Sequence, residues 1–531
     1  MAPVTTTDVL ILSSSAYVLY KIIRYVTSGR RDVSTTPLVG PPRHSWFFGA
    51  HRETMGSADP AGFYEGWARE YGLAYALPGP LGATRVVLLD PKALAHFYAR
   101  ETWTYVNLRI SKIFIENLFG RGILSAEGEN HKRQRKALSP AFSNTAIRSL
   151  TSVFYDSVYK VKAIWDGLLE PTTEEGVIID VQFWMNRISL DSIGIAGFGH
   201  DFGTIAGQPS PIIDSFEGFG KLGSSIVGTL IFILTPFLPF LDYVPTASKK
   251  LTDRVRAILT VIADEMLEQS RLGTEGLLAQ KSIIGQIIKA EKDTSDLRMT
   301  REEVLAQNVL LIAGYETTSI SLTWALTELS KKPEQQQRLR DELAQIGIAD
   351  ATWEQFTNNL PYLDAVALEV LRLHPAVDTT TRVAAEDDVI PLGTPANTTT
   401  GEAVSQIVVP KGTTVIAPIH AINRSRDLWG EDADTFRPER WLDEQSLGPA
   451  QELQGHKHLM SFIDGPRMCL GRGFALAEFK AVLSTLIRNY TFEWPHGDEK
   501  KILRYRTIVF RPQVEGEDGP RVPLRVRRVD A

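Results

Sequence analysis

The chain has 531 residues, of which 43% are hydrophobic and 23% charged, and its formal net charge is −6 at pH 7. A chain of this size can bury a core large enough to enclose a cofactor, and its acidic balance without a long basic run argues against nucleic-acid binding. The one cysteine, Cys469, excludes an internal disulfide framework and cysteine-rich zinc modules.

The first segment has the pattern of a membrane anchor. Residues 9–20 are mostly apolar, no Lys or Arg precedes them, and four basic residues follow: Lys21, Arg24, Arg30 and Arg31. This asymmetry places the downstream chain in the cytosol. Because a full span needs ~20 residues, the helix must extend to about Val26, with Lys21 and Arg24 snorkelling. We predict an uncleaved anchor over residues 1–29, with an interfacial amphipathic helix as the alternative.

A proline-rich linker is predicted over residues 30–45, and one large domain over residues 46–531. The domain is mainly helical in pattern, with strand-like runs at 85–89, 413–417 and 505–510, and residues 391–405 are polar enough to predict a loop. The uncharged segment 225–241 resembles a second span, but Pro236 and Pro239 interrupt it. A region that dips into the membrane is therefore predicted there, with a buried core element as the alternative.

A long apolar helix is predicted from Thr300 to Leu329. Thr300 followed by Glu303 is the pattern of a capping box, and ~30 helical residues would span ~45 Å, enough to cross a domain. Gly314, Glu316 and Thr317 lie in its middle. An acid beside an alcohol at a local kink suits proton delivery; a polar stripe that faces solvent is the alternative.

Three further segments carry charged or reactive side chains. Glu369 and Arg372 share one helix face, Arg440 lies in an irregular turn, and Cys469 lies in a glycine-rich loop just before a helix predicted at about 474–490. The N-terminus of that helix favours a thiolate, which needs a cation such as iron. Arg467 in the same loop suits an anionic cofactor group. For a lone cysteine, a small buried hydrophobe is the alternative.

These segments, in this order, resemble the cytochrome P450 family. The loop pattern Phe-x-x-Gly-x-Arg-x-Cys-x-Gly is complete, and the resemblance extends from the proline-rich linker to the last strands. It implies a mainly α fold with a minor β portion, in which a single haem-bearing catalytic domain follows an N-terminal membrane anchor. It also implies haem b as the cofactor and an iron that Cys469 ligates axially.

The resemblance also assigns roles to the other matching residues. Glu316 and Thr317 would deliver protons, Gly314 would let the helix approach the haem, and the network of Glu369, Arg372 and Arg440 would be buried behind it. The remaining cofactor-binding positions are Arg467, Arg135, His131, Arg382, Phe462, Gly465 and Gly471. Many family members have Trp where this chain has His131, and an ordinary surface histidine is the alternative there.

The implied reaction inserts one atom of dioxygen into a lipophilic small molecule, such as a terpenoid, a fatty acid or an aromatic compound. NADPH would supply electrons through a separate cytochrome P450 reductase, with cytochrome b5 as another donor, at the cytosolic face of the endoplasmic reticulum. The chain resembles microsomal fungal members of the family, many of which serve secondary metabolism or xenobiotic oxidation. The basic group Lys132, Arg133 and Lys136 would dock the reductase.

Two other functions remain open at this point. A haem-thiolate isomerase or dehydratase would use no dioxygen, and Glu316 with Thr317 argues against it. A non-catalytic haem sensor would need neither that pair nor a reductase-docking surface. The predicted pocket segments, 104–124, 216–241, 376–381 and 507–509, are apolar with a few hydroxyls and do not identify a substrate.

Overall fold

The computed structural model describes residues 34–529, except 51–52, 55–56, 58, 171–174, 222–227, 229–230, 232–233, 236–237, 272–281, 284, 286–298, 348 and 498. The predicted anchor, residues 1–29, and much of segment 225–241 lie outside the described residues. Part of the predicted linker packs on the domain, because the Thr36 amide donates to Val408 and the Val39 amide donates to Asn397.

Helices form most of the fold, as the sequence predicted. They are α1 (Pro60–Tyr71), α2 (Pro91–Ala99), α3 (Arg109–Phe119), α4 (Gly128–Leu138), α5 (Asn144–Leu169), α6 (Val181–Ile193), α7 (Pro211–Lys221), α8 (Ala247–Arg271), α9 (Arg301–Leu305), α10 (Val309–Ser330), α11 (Pro333–Ala344), α12 (Trp353–Asn358), α13 (Pro361–Leu373), α14 (Ile419–Asn423), α15 (Arg426–Trp429) and α16 (Arg472–Asn489). The buried core lies mainly where α5, α6, α10, α13 and α16 pack together.

The strands are short and divided among small sheets. They are β1 (Ala74–Pro78), β2 (Thr84–Leu88), β3 (Tyr105–Asn107), β4 (Val177–Asp180), β5 (Thr380–Ala384), β6 (Asp388–Asn397), β7 (Ala403–Val409), β8 (Thr414–Ala417), β9 (Tyr490–Glu493), β10 (Ile502–Arg506), β11 (Phe510–Val514) and β12 (Pro523–Arg528). One sheet has the order β1-β2-β8-β5-β3, with β2 and β8 parallel. These two strands match the runs predicted at 85–89 and 413–417.

Two local predictions are wrong. The run 505–510 is not one strand, because β10 ends at Arg506 and β11 begins at Phe510, and the amide of Thr507 donates to the carbonyl of Val509 in the turn between them. The segment 391–405 is mostly a hairpin of β6 and β7 rather than a loop. Most of its polar side chains are exposed, whereas Leu392, Ala396 and Thr398 are buried. The exposed strand face makes the segment polar enough to resemble a loop.

The long central helix begins where predicted. Thr300 and Glu303 form both hydrogen bonds of a capping box, and a 3-10 turn at Ala306–Asn308 separates α9 from α10. Among the described residues, Glu302–Ser330 is long and apolar enough to span a membrane, but 78% of its most apolar window is buried inside the protein. It is therefore the core helix of the domain.

Glu478 on α16 is a wholly buried carboxyl group, and neither of its oxygens has a well-aligned hydrogen-bond partner among the described residues. Burial raises its pKa well above the usual value, and the Ser189 hydroxyl only partly offsets this. The folded protein therefore keeps Glu478 protonated at a pH where the unfolded chain releases the proton. Stability from this group is present below the ordinary glutamate pKa and declines as pH rises.

Glu478→Gln is expected to remove that decline, because the amide has no proton to lose near neutral pH. We expect a Tm at pH 8 about 1–2 °C above that of the unsubstituted protein, corresponding to roughly 1–2 kcal/mol for a domain of this size, and little change at pH 5. Thermal unfolding of the purified protein across this pH range is the measurement. The exposed Glu334→Gln is the matched control, and equal pH profiles for all three proteins would contradict the prediction.

Candidate active site

The loop before α16 presents Cys469 on an exposed turn. The Cys469 amide donates to the Phe462 carbonyl over 2.9 Å, which closes the loop. Gly465 has φ +67, and a Cβ atom there would lie 2.1 Å from the Tyr98 carbonyl oxygen, so the turn requires glycine. A Cβ atom at Gly471 would meet nothing closer than 3.7 Å; this residue contributes its amide to the cysteine sulfur.

The electrostatics of Cys469 combine opposing effects. Packing against the surrounding protein raises the pKa of the thiol, although part of the side chain is exposed. The amides of Gly471 and Arg472 and the charges of Arg135 and Arg472 act in the opposite direction. The helix N-terminus thus favours the thiolate, as predicted, but does not outweigh burial. A cation bonded directly to sulfur would supply the missing stabilisation.

Three arginines surround a buried histidine beside this loop. His131 is only 3% exposed, which excludes a surface histidine. Burial, and then the charges of Arg467, Arg135 and Arg382, lower its pKa to about 4. The buried Nε of Arg467 has no hydrogen-bond partner among the described residues. Such a concentration of positive charge with an unused donor is suited to an anionic group.

Two glutamates that the sequence did not single out partner these arginines. Glu101 Oε1 lies 2.9 Å from Arg382 Nε, and Glu127 Oε2 lies 2.5 Å from Arg467 Nη2. Glu101 is completely buried, and burial, partly offset by Arg382, raises its pKa to about 6. No local spacing links these acids to their partners, because each pair joins distant parts of the chain.

Glu369, Arg372 and Arg440 lie together with no exposed side-chain surface. Arg372 donates to both carboxylate oxygens of Glu369 at 2.9 and 2.8 Å, and Arg440 Nε donates to Oε1 at 3.0 Å. Trp441 Nε1 and the Arg437 amide complete the set of donors. Burial opposes ionisation of Glu369, but the arginines outweigh it and hold the pKa below its usual range.

The centre of α10 has one accessible strip on an otherwise buried helix. Ala313 is exposed, and Gly314 and Thr317 are partly exposed. The Thr317 hydroxyl donates to the Ala313 carbonyl at 2.7 Å, which satisfies it within the helix. A Cβ atom at Gly314 would lie 2.8 Å from the Ile193 side chain. Glycine there permits close packing of α10 on α6, and the approach of this helix to a cofactor at Gly314 stays a prediction.

The side chains of Glu316 and Thr317 have different partners. The Glu316 carboxylate is buried and forms an ion pair with Arg511 of β11 at 3.0 Å. The Thr507 hydroxyl also donates to it at 3.1 Å, and Arg511 Nη2 donates to the Tyr315 hydroxyl. The acid therefore faces the β10–β11 hairpin, whereas the alcohol faces the accessible strip.

Comparison with known proteins decides the family. A family model for cytochrome P450 matches residues 39–516. The chain is 55% identical, over the full length of both proteins, to cytochrome P450 monooxygenase claP from Ampulloclitocybe clavipes. It is 33% identical, over 99% of each chain, to cytochrome P450 monooxygenase 205 from Postia placenta. The chain belongs to the cytochrome P450 family.

Membership makes this P450 an oxidoreductase and implies haem with a cysteine thiolate as the iron ligand. The residues present fit that group. The chain has one cysteine to serve as a thiolate ligand, and its thiol is accessible. Arg135, Arg382 and Arg467 supply positive charge for the two carboxylates of a haem. Such a haem would supply dioxygen activation.

Arg511 is another site residue of this P450 that the sequence did not reveal. It is completely buried and lies 195 residues after Glu316, to which its Nε donates at 3.0 Å. The available signal was weak: Arg511 directly follows the strand-like run 505–510, and a buried arginine needs a partner. Nothing in the run identified Glu316 as that partner.

Proposed function

We propose that this P450 inserts one atom of dioxygen into a lipophilic small molecule, and that the Cys469 thiolate would bind the haem iron. The observation that carries the proposal is the loop before α16, where an accessible thiol, two backbone amides and the arginine cluster converge. Arg467, Arg382, Arg135 and His131 would hold the haem carboxylates. Neutral His131 can still donate one hydrogen bond.

The protein's contribution to the reaction is to position groups and to hold protons. The Thr317 hydroxyl lies on the accessible strip of α10 and can donate the proton at Oγ1 after leaving the Ala313 carbonyl. Glu316 is a reserve acid that reaches the same side only by leaving Arg511. Glu369 with its arginines would keep the elements behind the cysteine loop rigid.

The substrate is proposed to be a largely apolar compound, such as a terpenoid, a fatty acid or an aromatic molecule. Several P450 monooxygenases of one fungus, among them claP, claU and claQ, are 53–55% identical to this chain. Multiple related oxygenases in one organism suit successive oxidations of related intermediates. We therefore propose a role in secondary metabolism for this chain, because several similar oxygenases in one organism fit a multistep pathway better than a single housekeeping reaction.

Electrons would come from NADPH through a separate reductase, with cytochrome b5 as a second donor. Lys132 and Lys136 on α4 are exposed and can attract an acidic partner. Arg133 is a weaker candidate than the sequence implied, because it forms an ion pair with Glu303. Anchoring at the endoplasmic reticulum membrane with a cytosolic domain remains a prediction from residues 1–29.

Cys469→Ser tests the proposal. The reduced carbon monoxide complex of the unsubstituted protein should show the strongly red-shifted Soret band of thiolate ligation, and the variant should lose it because a serine hydroxyl stays protonated. Met468→Leu removes the neighbouring sulfur and should keep the band. A band that survives Cys469→Ser would overturn the ligand assignment.

Co-expression with a reductase and a lipophilic compound library tests the reaction. Isotopically labelled dioxygen should appear as one labelled oxygen atom in the product, and turnover should require NADPH. A product formed without NADPH or label would identify an isomerase or dehydratase. If no compound changes the haem absorption spectrum and none is converted to product, the protein would instead be a non-catalytic haem sensor.

A further inference from the structure

Glu101 places a buried carboxyl group beside Arg382 of the proposed haem site, and the role inferred for it rests on that site. Glu101 lies two residues after the end of α2, and its side chain is completely buried. Neither carboxyl oxygen has a well-aligned hydrogen bond among the described residues, although Arg382 Nε lies 2.9 Å from Oε1. A buried carboxyl group with so few hydrogen bonds costs free energy of folding, which indicates a function for it.

The backbone turn that holds Glu101 in place is itself unusual. Thr102 has φ +74, a conformation that is rare for a β-branched residue. Its amide donates to the Tyr105 carbonyl at 2.9 Å, and this closes the turn. Backbone of this kind persists where the surrounding structure fixes it. The orientation of Glu101 is therefore imposed by the turn.

The charges around Glu101 form one group. Arg382, Arg467 and Glu127 are the charged residues that act on it most strongly. Together with Arg135, the cluster holds three arginines and two glutamates, which leaves one net positive charge. Two haem carboxylates would bring two negative charges. Each glutamate therefore changes the net charge near the iron, and in a medium of low dielectric constant that charge acts strongly on the iron.

We propose that Glu101 is a positioning residue that fixes Arg382 for a haem carboxylate and places a buried negative charge that lowers the reduction potential of the haem iron. A fixed negative charge disfavours addition of an electron nearby. Glu127 would contribute less, because it is partly exposed to solvent. The chain thereby sets how readily the haem accepts its first electron.

The test is the midpoint potential of the purified holoprotein. Glu101→Gln keeps the size of the side chain and removes the charge. We expect the equilibrium constant for one-electron reduction to increase about tenfold, a positive shift of ~59 mV. The matched control is Glu386→Gln. Glu386 is an exposed carboxylate that accepts a hydrogen bond from Thr104, which lies three residues after Glu101, and its substitution should leave the potential unchanged.

An unchanged potential in a fully haem-loaded Glu101→Gln protein would overturn the inference. If that variant holds no haem, the comparison moves to Arg382→Gln and Arg382→Gln/Glu101→Gln, since the double change leaves no unpaired buried charge. The double variant should have a more positive midpoint potential than Arg382→Gln alone. If neither variant binds haem, Glu101 is structural, and this result would also overturn the proposal. Absence of the thiolate band in the unsubstituted protein would instead sink the proposed function.

Discussion

Glu369→Gln is expected to destabilise this P450 by about 3–5 kcal/mol, the cost of removing one partner of a buried ion pair. The amide cannot balance Arg372 and Arg440, both of which have no exposed side-chain surface. It would also direct an N–H group at arginine donors. Denaturant unfolding at constant haem concentration measures the change, and the yield of folded holoprotein should fall with it.

Asp364→Asn is the matched control on the same helix. Asp364 forms an ion pair with the buried Lys480 at 2.8 Å, but the Asp364 side chain is itself 37% exposed, so solvent screens its charge. Lys480 also keeps its hydrogen bond to the Phe356 carbonyl. We expect a change below about 1 kcal/mol. If Glu369→Gln and Asp364→Asn cost the same, the network does not stabilise the domain through charge.

Thr317→Val is expected to lower the rate of product formation by about 10²-fold, the usual contribution of a positioned proton donor, and to divert electrons into hydrogen peroxide. The change removes the hydroxyl from the accessible strip of α10 and keeps the β-branched shape. Product, peroxide and NADPH consumption are measured together. Thr318→Val is the matched control, because Thr318 is buried on a different face, and it should keep normal coupling.

Glu316 requires a different variant, because Glu316→Gln alone leaves Arg511 buried without its partner. The double change Glu316→Gln/Arg511→Met removes both charges at similar volume. A folded double variant that still couples NADPH to product would show that the ion pair is structural. Loss of coupling with haem binding intact would instead assign the proton reserve to Glu316.

Several features of this P450 followed from sequence alone because their physical basis is local. The capping box at Thr300 and Glu303 needs only residues three positions apart. The positions of Glu369 and Arg372 on one helix face follow from helical periodicity. The turn around Gly465 and Cys469 follows from the conformations that only glycine adopts readily. Local spacing therefore predicted most of the cysteine loop and the central helix.

The tertiary structure decided what lies opposite these local features. The sequence placed Glu316 next to Thr317, but successive helix residues point in different directions, and Arg511, 195 residues away, holds the acid. Glu101 contacts Arg382 because β3 pairs with β5 and brings these two segments of the chain together. The turn between β10 and β11 was hidden inside an apolar run. Ion pairs between distant segments leave no periodic signal in the chain, so only the packed fold reveals which buried charges neutralise each other.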